Sequence, residues 1–175
     1  EWLRVRRDLA GILAFCYLSD NLGFTGDWWV GDVAELNPSP TLAWFKNCFA
    51  KSAVFIDIRD HRYSKACAPL QSRAPFSFNL VGLTDLHHEV KGTVYLSLLD
   101  KNGTSMWSET QEVIIPPFEN KYIPISLTLP DQTGGYVVTA QFRENGSEES
   151  VISRRFIKIG NGEAAYFKLL PKPLR

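Results

Sequence analysis

Three absences narrow the field before any motif is considered. The chain has no excess of charge of either sign: lysine plus arginine and aspartate plus glutamate number 19 each, for a formal net charge of zero. Such a chain exerts no long-range pull on phosphate backbones or acidic lipid surfaces, and no basic cluster is interleaved with aromatics, so nucleic acid is not an expected partner. It has no long apolar run; the longest fall well short of the roughly 20 residues that cross a bilayer, so no membrane span is expected. It has no cysteine pattern. Cys16, Cys48 and Cys67 are far apart and match no zinc or redox spacing, and they read as buried or incidental thiols. No signal peptide is visible at Glu1, and there is no internal repeat or low-complexity stretch. What is present is apolar: 45% hydrophobic and 13% aromatic residues over 175 positions, enough for one packed domain plus a remnant of another.

The first fifty residues carry the most informative pattern. Residues 11–18 form a short continuous apolar run, which suits a parallel strand covered on both faces. A polar and aromatic loop follows: Gly23, Phe24, Thr25, Gly26, Asp27, Trp28 and Trp29. Then Ser39 stands as an N-cap before Pro40 at the first helical position, and Leu42, Phe45 and Phe49 recur with helical spacing, widened by Trp44 and Cys48. Strand, loop and capped helix make one βα unit. A parallel strand needs parallel neighbours, and residues 1–7 do not supply them. Residues 1–51 are therefore expected to be the end of a larger α/β domain.

Past Ala53 the periodicity changes and no helix pattern recurs. Strands are expected near residues 54–58, 93–99, 106–115, 122–129, 136–142 and 151–157, with a further edge strand at 164–170. Asn102-Gly103 and Asn145-Gly146 sit between strand pairs as hairpin turns. Seven or so strands spaced about a dozen residues apart argue for an antiparallel, immunoglobulin-like β-sandwich over residues 52–160, followed by a tail at 161–175.

The order of these pieces resembles the C-terminal part of bacterial glycoside hydrolases of family 2, the β-galactosidase and β-glucuronidase group. The residues that carry the resemblance are those of the 23–29 loop, the stretch from Asn37 through Pro38, Ser39 and Pro40 to Phe45, residues 53–57, Arg62-Tyr63, Gly134-Gly135-Tyr136 and residues 153–156. The resemblance implies that residues 1–51 are the last βα unit of a catalytic (β/α)8 barrel running directly into the sandwich. It also implies export of the parent to the periplasm or cell surface, or secretion. Retaining glycosidases use two carboxylates about 5 Å apart. In this family both are glutamates on earlier barrel strands, so the chain itself is expected to carry no catalytic residue, no metal and no cofactor. Trp28, Trp29 and Asp27 would lie at the C-terminal face of the last barrel strand, where substrate contacts are made in barrels. They are the candidate sugar-binding residues in the parent.

Other clusters read more plainly. His87, His88 and Glu89 with Asp85 suggest a solvated loop, since adjacent strand residues point to opposite faces and cannot easily share a metal ion. Asp57, Asp60 and His61 have no spaced nucleophile and suggest loop solvation. Arg154-Arg155 suggests an exposed alternating pair or an ion pair with an acidic neighbour. The Asn-Gly-Thr and Asn-Gly-Ser triplets at 102 and 145 match the glycosylation pattern but are explained by turn geometry.

Three functions fit. The first is a noncatalytic region that supports the barrel, favoured by the lack of a glycine- or serine-rich tether between Pro38 and Ser52. The second is an autonomous carbohydrate-binding module using Tyr63, Trp107, Phe118 and Tyr122. The third is a structural immunoglobulin-like domain. Residues 1–50, separated from a barrel, are expected either to pair two copies of the chain into a dimer or to fold back onto the sandwich.

Overall fold

Strands are the main regular elements of the described residues, seen in a computed structural model that describes residues 1–9, 28–30, 32–61 and 67–161. A 3-10 turn at Val33–Glu35 leads to helix α1 (Pro40–Cys48), and then to strands β1 (Ser52–Asp57), β2 (Pro75–Thr84), β3 (Val90–Leu99), β4 (Ser105–Ile115), β5 (Lys121–Thr128), β6 (Gly134–Glu144) and β7 (Val151–Ile159). They form two antiparallel sheets, one in the order β1-β2-β5 and the other β4-β3-β6-β7. The protein is mainly β, a sandwich with no closed barrel among the described residues.

Period-two alternation explains the core. Val54 and Ile56 of β1, Phe78 and Leu80 of β2, and Ile123, Ile125 and Leu127 of β5 face Val94, Leu96 and Leu98 of β3, Val138 and Ala140 of β6, and Ile157 and Ile159 of β7 in one cluster. Strand β1 departs from alternation, with its first five residues all buried. Its outward side chains Ala53 and Phe55 form a second cluster with Leu83, covered by Val5 and Val151. Residues 1–9 thus lie on the outer face of the three-stranded sheet.

Two local features fix the corners. Tyr136, 2% exposed near the start of β6, donates its hydroxyl to the carbonyl of Gln132 at 2.7 Å and ties the β5–β6 connection to the sheet. The two Asn-Gly turns have φ of +83° at Gly103 and +80° at Gly146, while neither asparagine takes a positive φ. They are therefore not two-residue type I′ turns, which need positive φ at both central residues. Asp100 supplies the difference in the first: its Oδ1 accepts the N–H groups of Asn102 and Thr104. These bonds, that of Thr104 foremost, hold its carboxyl below the usual aspartate range.

The strands expected from sequence are found, shifted by one to three residues at their ends, and β2 is an addition. Its second half, Leu80 to Thr84, is buried on both faces, so it does not alternate. The 11–18 strand, the Gly23–Asp27 part of the loop and the 164–170 segment lie outside the described residues.

Gly92 on β3 allows the tightest approach in the core. A Cβ there would sit 2.5 Å from the Phe142 ring and 2.5 Å from the Arg143 carbonyl oxygen. Gly92→Ala is expected to destabilise the fold by about 2–3 kcal/mol in urea unfolding, through overpacking against a ring and a backbone that cannot both retreat. An unchanged midpoint would show that the β3–β6 pairing is looser than described.

Candidate functional site: the seam between helix, leading segment and sandwich

The described chemistry converges where α1, residues 1–9, β1 and β7 meet. The helix begins as its sequence requires: the Ser39 hydroxyl accepts the Leu42 N–H at 3.4 Å, with Pro40 at the start. Upstream, Trp29 and Pro38 form a β-bridge, and Ser39 donates its N–H to the Trp28 carbonyl at 2.9 Å. This pairing places the Trp28 ring edge-on to Phe45, centroids 4.5 Å apart, with Phe45 stacked on Phe49 at 5.7 Å.

The helix does not meet the sandwich through Leu42, Phe45 and Phe49. Phe49 is 46% exposed, and the contacts with the sandwich come from Trp44, Asn47 and Cys48. The reason is the free edge of β7. Asn47, buried, accepts the Ile152 N–H on its Oδ1 at 3.2 Å. Trp44 lies under the Arg154 guanidinium, 3.5 Å from carbon to ring centroid, a cation–π contact.

Asp60 and His61 continue the same edge. Asp60 Oδ2 accepts the Phe156 N–H at 3.3 Å. His61 donates its own N–H to the Phe156 carbonyl at 2.9 Å and accepts the Lys158 N–H on Nδ1 at 3.2 Å. Leu70 donates to the Lys158 carbonyl and accepts from Gly160, both at 2.8 Å. Residues that suggested loop solvation are instead edge caps, answering backbone groups that a neighbouring strand would otherwise answer.

The leading segment locks the other side. Arg4, whose side chain is 9% exposed, donates to the carbonyls of Cys48 and Ala50 at 2.6 and 2.7 Å and pairs with Asp85 at 2.6 Å. Burial pushes this guanidinium below its usual range and Asp85 opposes the shift. Arg7 reaches the other oxygen of Asp85 at 2.8 Å, and Asn120 donates to the Val5 carbonyl at 2.7 Å. Glu1 accepts from the hydroxyl of Ser153 and pairs with Arg155, both at 2.7 Å. Ser153, fully buried, in turn accepts the Ile56 N–H at 3.1 Å and so bridges β1 to β7. Arg155 also donates to the Ile58 carbonyl at 3.1 Å. The arginine pair is thus not exposed: one member stacks and the other is ion-paired.

A cleft of about 580 Å³ remains in this seam, lined among others by Glu1, Trp2, Trp44, Phe55, Asp57 and Arg155. A second, of about 660 Å³, lies between the end of α1 and the β6–β7 turn. The polar groups of the first are largely committed to one another, as the Glu1 and Arg155 contacts show. Cys48 is a free thiol, pushed up by burial and so held as the poorly nucleophilic thiol form. Among the described residues no group of three or more His, Cys, Asp or Glu side chains is placed to hold a metal, and no helix is long and apolar enough to cross a membrane.

The sugar-binding candidates separate. Asp27 and Tyr63 lie outside the described residues. Trp28 and Trp29 are each 8% exposed. Trp107 is half-buried against the main core. Phe118 and Tyr122 are exposed, and Phe118 has a φ of +59° and meets the His87 ring edge-on at 5.0 Å. Asp85, His87, His88 and Glu89 are exposed, as a solvated loop would be, and Asp85 also anchors Arg4 and Arg7. Sequence reasoning missed the seam because its parts come from positions 1–7, 47, 60–61 and 153–155, with no local spacing to announce them.

No protein-family model matches the chain, and no curated protein matches it. Three solved structures show similarity at low identity. The CARDB domain of the PF1109 protein of Pyrococcus furiosus, solved with di-metal ions, is 17% identical over 62% of this chain and 86% of its own, with a TM-score of 0.45. A family 123 glycoside hydrolase of Clostridium perfringens is 11% identical, at a TM-score of 0.41, over 65% of this chain and 28% of its own. A red sea bream transglutaminase is 12% identical, at 0.46, over 65% and 17%. This chain thus spans less than a third of the two enzymes.

His61 gives the seam a pH dependence. Burial lowers its pKa below 6.5, against the raising effect of Asp60. A depressed folded-state pKa means that the unfolded chain binds the proton more readily, so this contribution is full above about pH 6.5 and is lost as pH falls through the folded value. The melting temperature of the wild type is expected to drop on acidification below pH 6.5, and that of His61→Asn, which keeps an acceptor but does not titrate, to drop less. Parallel curves would contradict the assignment.

Proposed function

We propose that this chain is a noncatalytic supporting module: an immunoglobulin-like sandwich with the end of an adjoining domain docked rigidly on its edge, as in the C-terminal part of a family 2-like glycoside hydrolase. The observation that carries the reading is the junction itself. Helix α1 passes into β1 through three residues, and Arg4 pins the carbonyls of Cys48, where the helix ends, and of Ala50, within the passage. A module meant to move on a tether would not bury an arginine at its hinge.

Two further features support the finer fold. The partition of strands 1, 2 and 5 against 4, 3, 6 and 7 differs from the constant-type immunoglobulin arrangement only in the fourth strand, which has moved to the other sheet. The Tyr136–Gln132 bond also has the form of the tyrosine corner of such sandwiches, at the start of the sixth strand. In this reading residues 1–51 belong with a catalytic barrel, the catalytic carboxylates belong to that barrel, and the aromatic cluster of Trp28 and Phe45 packs the junction.

A second reading, carbohydrate binding by the sandwich, is favoured by Phe118 and Tyr122, exposed at 51% and 57% on and next to the β4–β5 connection. Aromatics open to solvent can stack on sugar rings, and a non-glycine residue at positive φ is often held there for function.

One assay separates these readings. The purified chain is incubated with chromogenic β-galactosides and β-glucuronides and titrated, by tryptophan fluorescence, with the free sugars and plant oligosaccharides. The supporting module is expected to give no hydrolysis above buffer and no saturable change. Hydrolysis that co-purifies with the chain would overturn it. Saturable binding lost in Phe118→Ala or Tyr122→Ala would establish the second reading instead.

A further inference from the structure

Four strands stand at sheet edges, β1 and β5 in one sheet and β4 and β7 in the other. Three are blunted. The edge of β7 is answered by Asn47, Asp60, His61 and Leu70. Strand β1 donates the Ile56 N–H to Ser153. Strand β5 carries Pro124 in its middle, which has no N–H to offer an incoming strand. Strand β4 is longer and less interrupted: 11 residues, with neither proline nor glycine, paired with β3 on one side and regular in register from Trp107 to Ile115, with one shift at Leu98/Leu99 opposite its Ser105–Met106 end. Its outward side chains Met106, Ser108, Thr110, Glu112 and Ile114 are all exposed. Long open edges of this kind are what natural sheets usually avoid.

The sequence of β4 is self-complementary about its own midpoint. Thr110 is the central residue of Ser105–Ile115, and a two-fold axis through it, perpendicular to the sheet, would pair two copies of the strand antiparallel from Met106 to Ile114, leaving out Ser105 at the register shift. Because such an axis keeps inner and outer faces distinct, it must pass through a residue position, which limits the registers. Centring on Glu109 or Glu112 sets two carboxylates directly opposite each other, which is destabilising. Centring on Thr110 does not. It sets Glu109 against Gln111, the residue whose amide already donates to it within the strand, and Glu112 against Ser108. It also brings together Met106 and Ile114, exposed at 45% and 50%, on the same outer face.

We propose that β4 is a homodimerisation edge, at which a second copy of this chain pairs through the Thr110-centred register to join two four-stranded sheets into one. The interface is isologous and closes on itself, so it yields a dimer and not a fibre. It lies on the sheet edge opposite β7, where helix α1 docks, so dimerisation through the leading residues would be a separate event with a different signature.

The test is sedimentation velocity across the micromolar range on the whole chain, with surface variants that leave the core untouched. The wild type is expected to dimerise. Met106→Lys/Ile114→Lys places two introduced ammonium groups opposite each other at both ends of the interface and is expected to weaken the dimer by about tenfold or more. Met106→Lys/Ile114→Glu places opposite charges there and is expected to retain it. Thr110→Cys puts two thiols in a directly opposed pair and is expected to form a covalent dimer on mild oxidation. Ser108→Cys, which faces Glu112 of the second copy, is expected to behave as the wild type does. Unchanged melting temperatures show that the variants fold. A wild type that stays monomeric, a double-lysine variant that dimerises as tightly as the wild type, or a Thr110→Cys chain that cross-links no better than Ser108→Cys would each overturn the proposal.

Discussion

A buried strand edge must have its outward N–H and C=O groups answered, because an unpaired backbone group shielded from water costs about as much as a lost hydrogen bond. In this protein that constraint falls on β7, and much of what surrounds the sandwich follows from it. Asn47 is on the helix, Asp60 and His61 are in the segment after β1, and Leu70 precedes β2, yet all four converge on alternate groups of one edge. The helix therefore turns a polar residue inward and leaves Phe49 half in water. Ser153 extends the arrangement by joining β7 to β1 and receiving Glu1 into the same network. The pieces before the sandwich are held by hydrogen bonds and ion pairs to it as well as by apolar contacts such as that of Val5 with the Ala53, Phe55 and Leu83 cluster. That makes their position specific, since a hydrogen-bonded seam tolerates less sliding than a greasy one.

The strands were legible in the sequence where they alternate. Strands β3 and β6 place apolar residues at nearly every second position, β4 does so only at its two ends, and the Asn-Gly connections supply the turn chemistry. Strand β2 was not legible because it changes character midway: Phe76, Phe78 and Leu80 alternate, but Val81 and Leu83 are buried on the outer face as well, Leu83 in the cluster that Val5 covers. A strand covered on both sides by elements distant in sequence gives no periodic signal of its own. The helix start was readable from Ser39 and Pro40 because capping is local. The helix face was not, because Asn47 faces inward only on account of an N–H more than a hundred residues away.

The same distinction governs the candidate site. Residues singled out by type, such as His61, Asp60, Asp85 and Arg155, prove to be structural partners whose roles depend on what the fold brings beside them. Arg4 and Glu1, with no motif around them, join the leading segment to the sandwich. A seam of this kind, with Glu1, Arg4, Asp60 and Arg155 engaged in bonds to other parts of the fold, suits holding segments in fixed register better than turning over a substrate. It is the physical basis for reading the chain as a support rather than a catalyst.

The claim that the β7 edge is a closed seam is tested most directly by residue-resolved hydrogen exchange. The account predicts that the amides of Ile152, Phe156 and Lys158 exchange as slowly as that of Val138, deep in the β6 ladder, and that Asn47→Ala releases Ile152 selectively. Fast exchange of all three amides in the wild type, at the rate of an open edge, would contradict it.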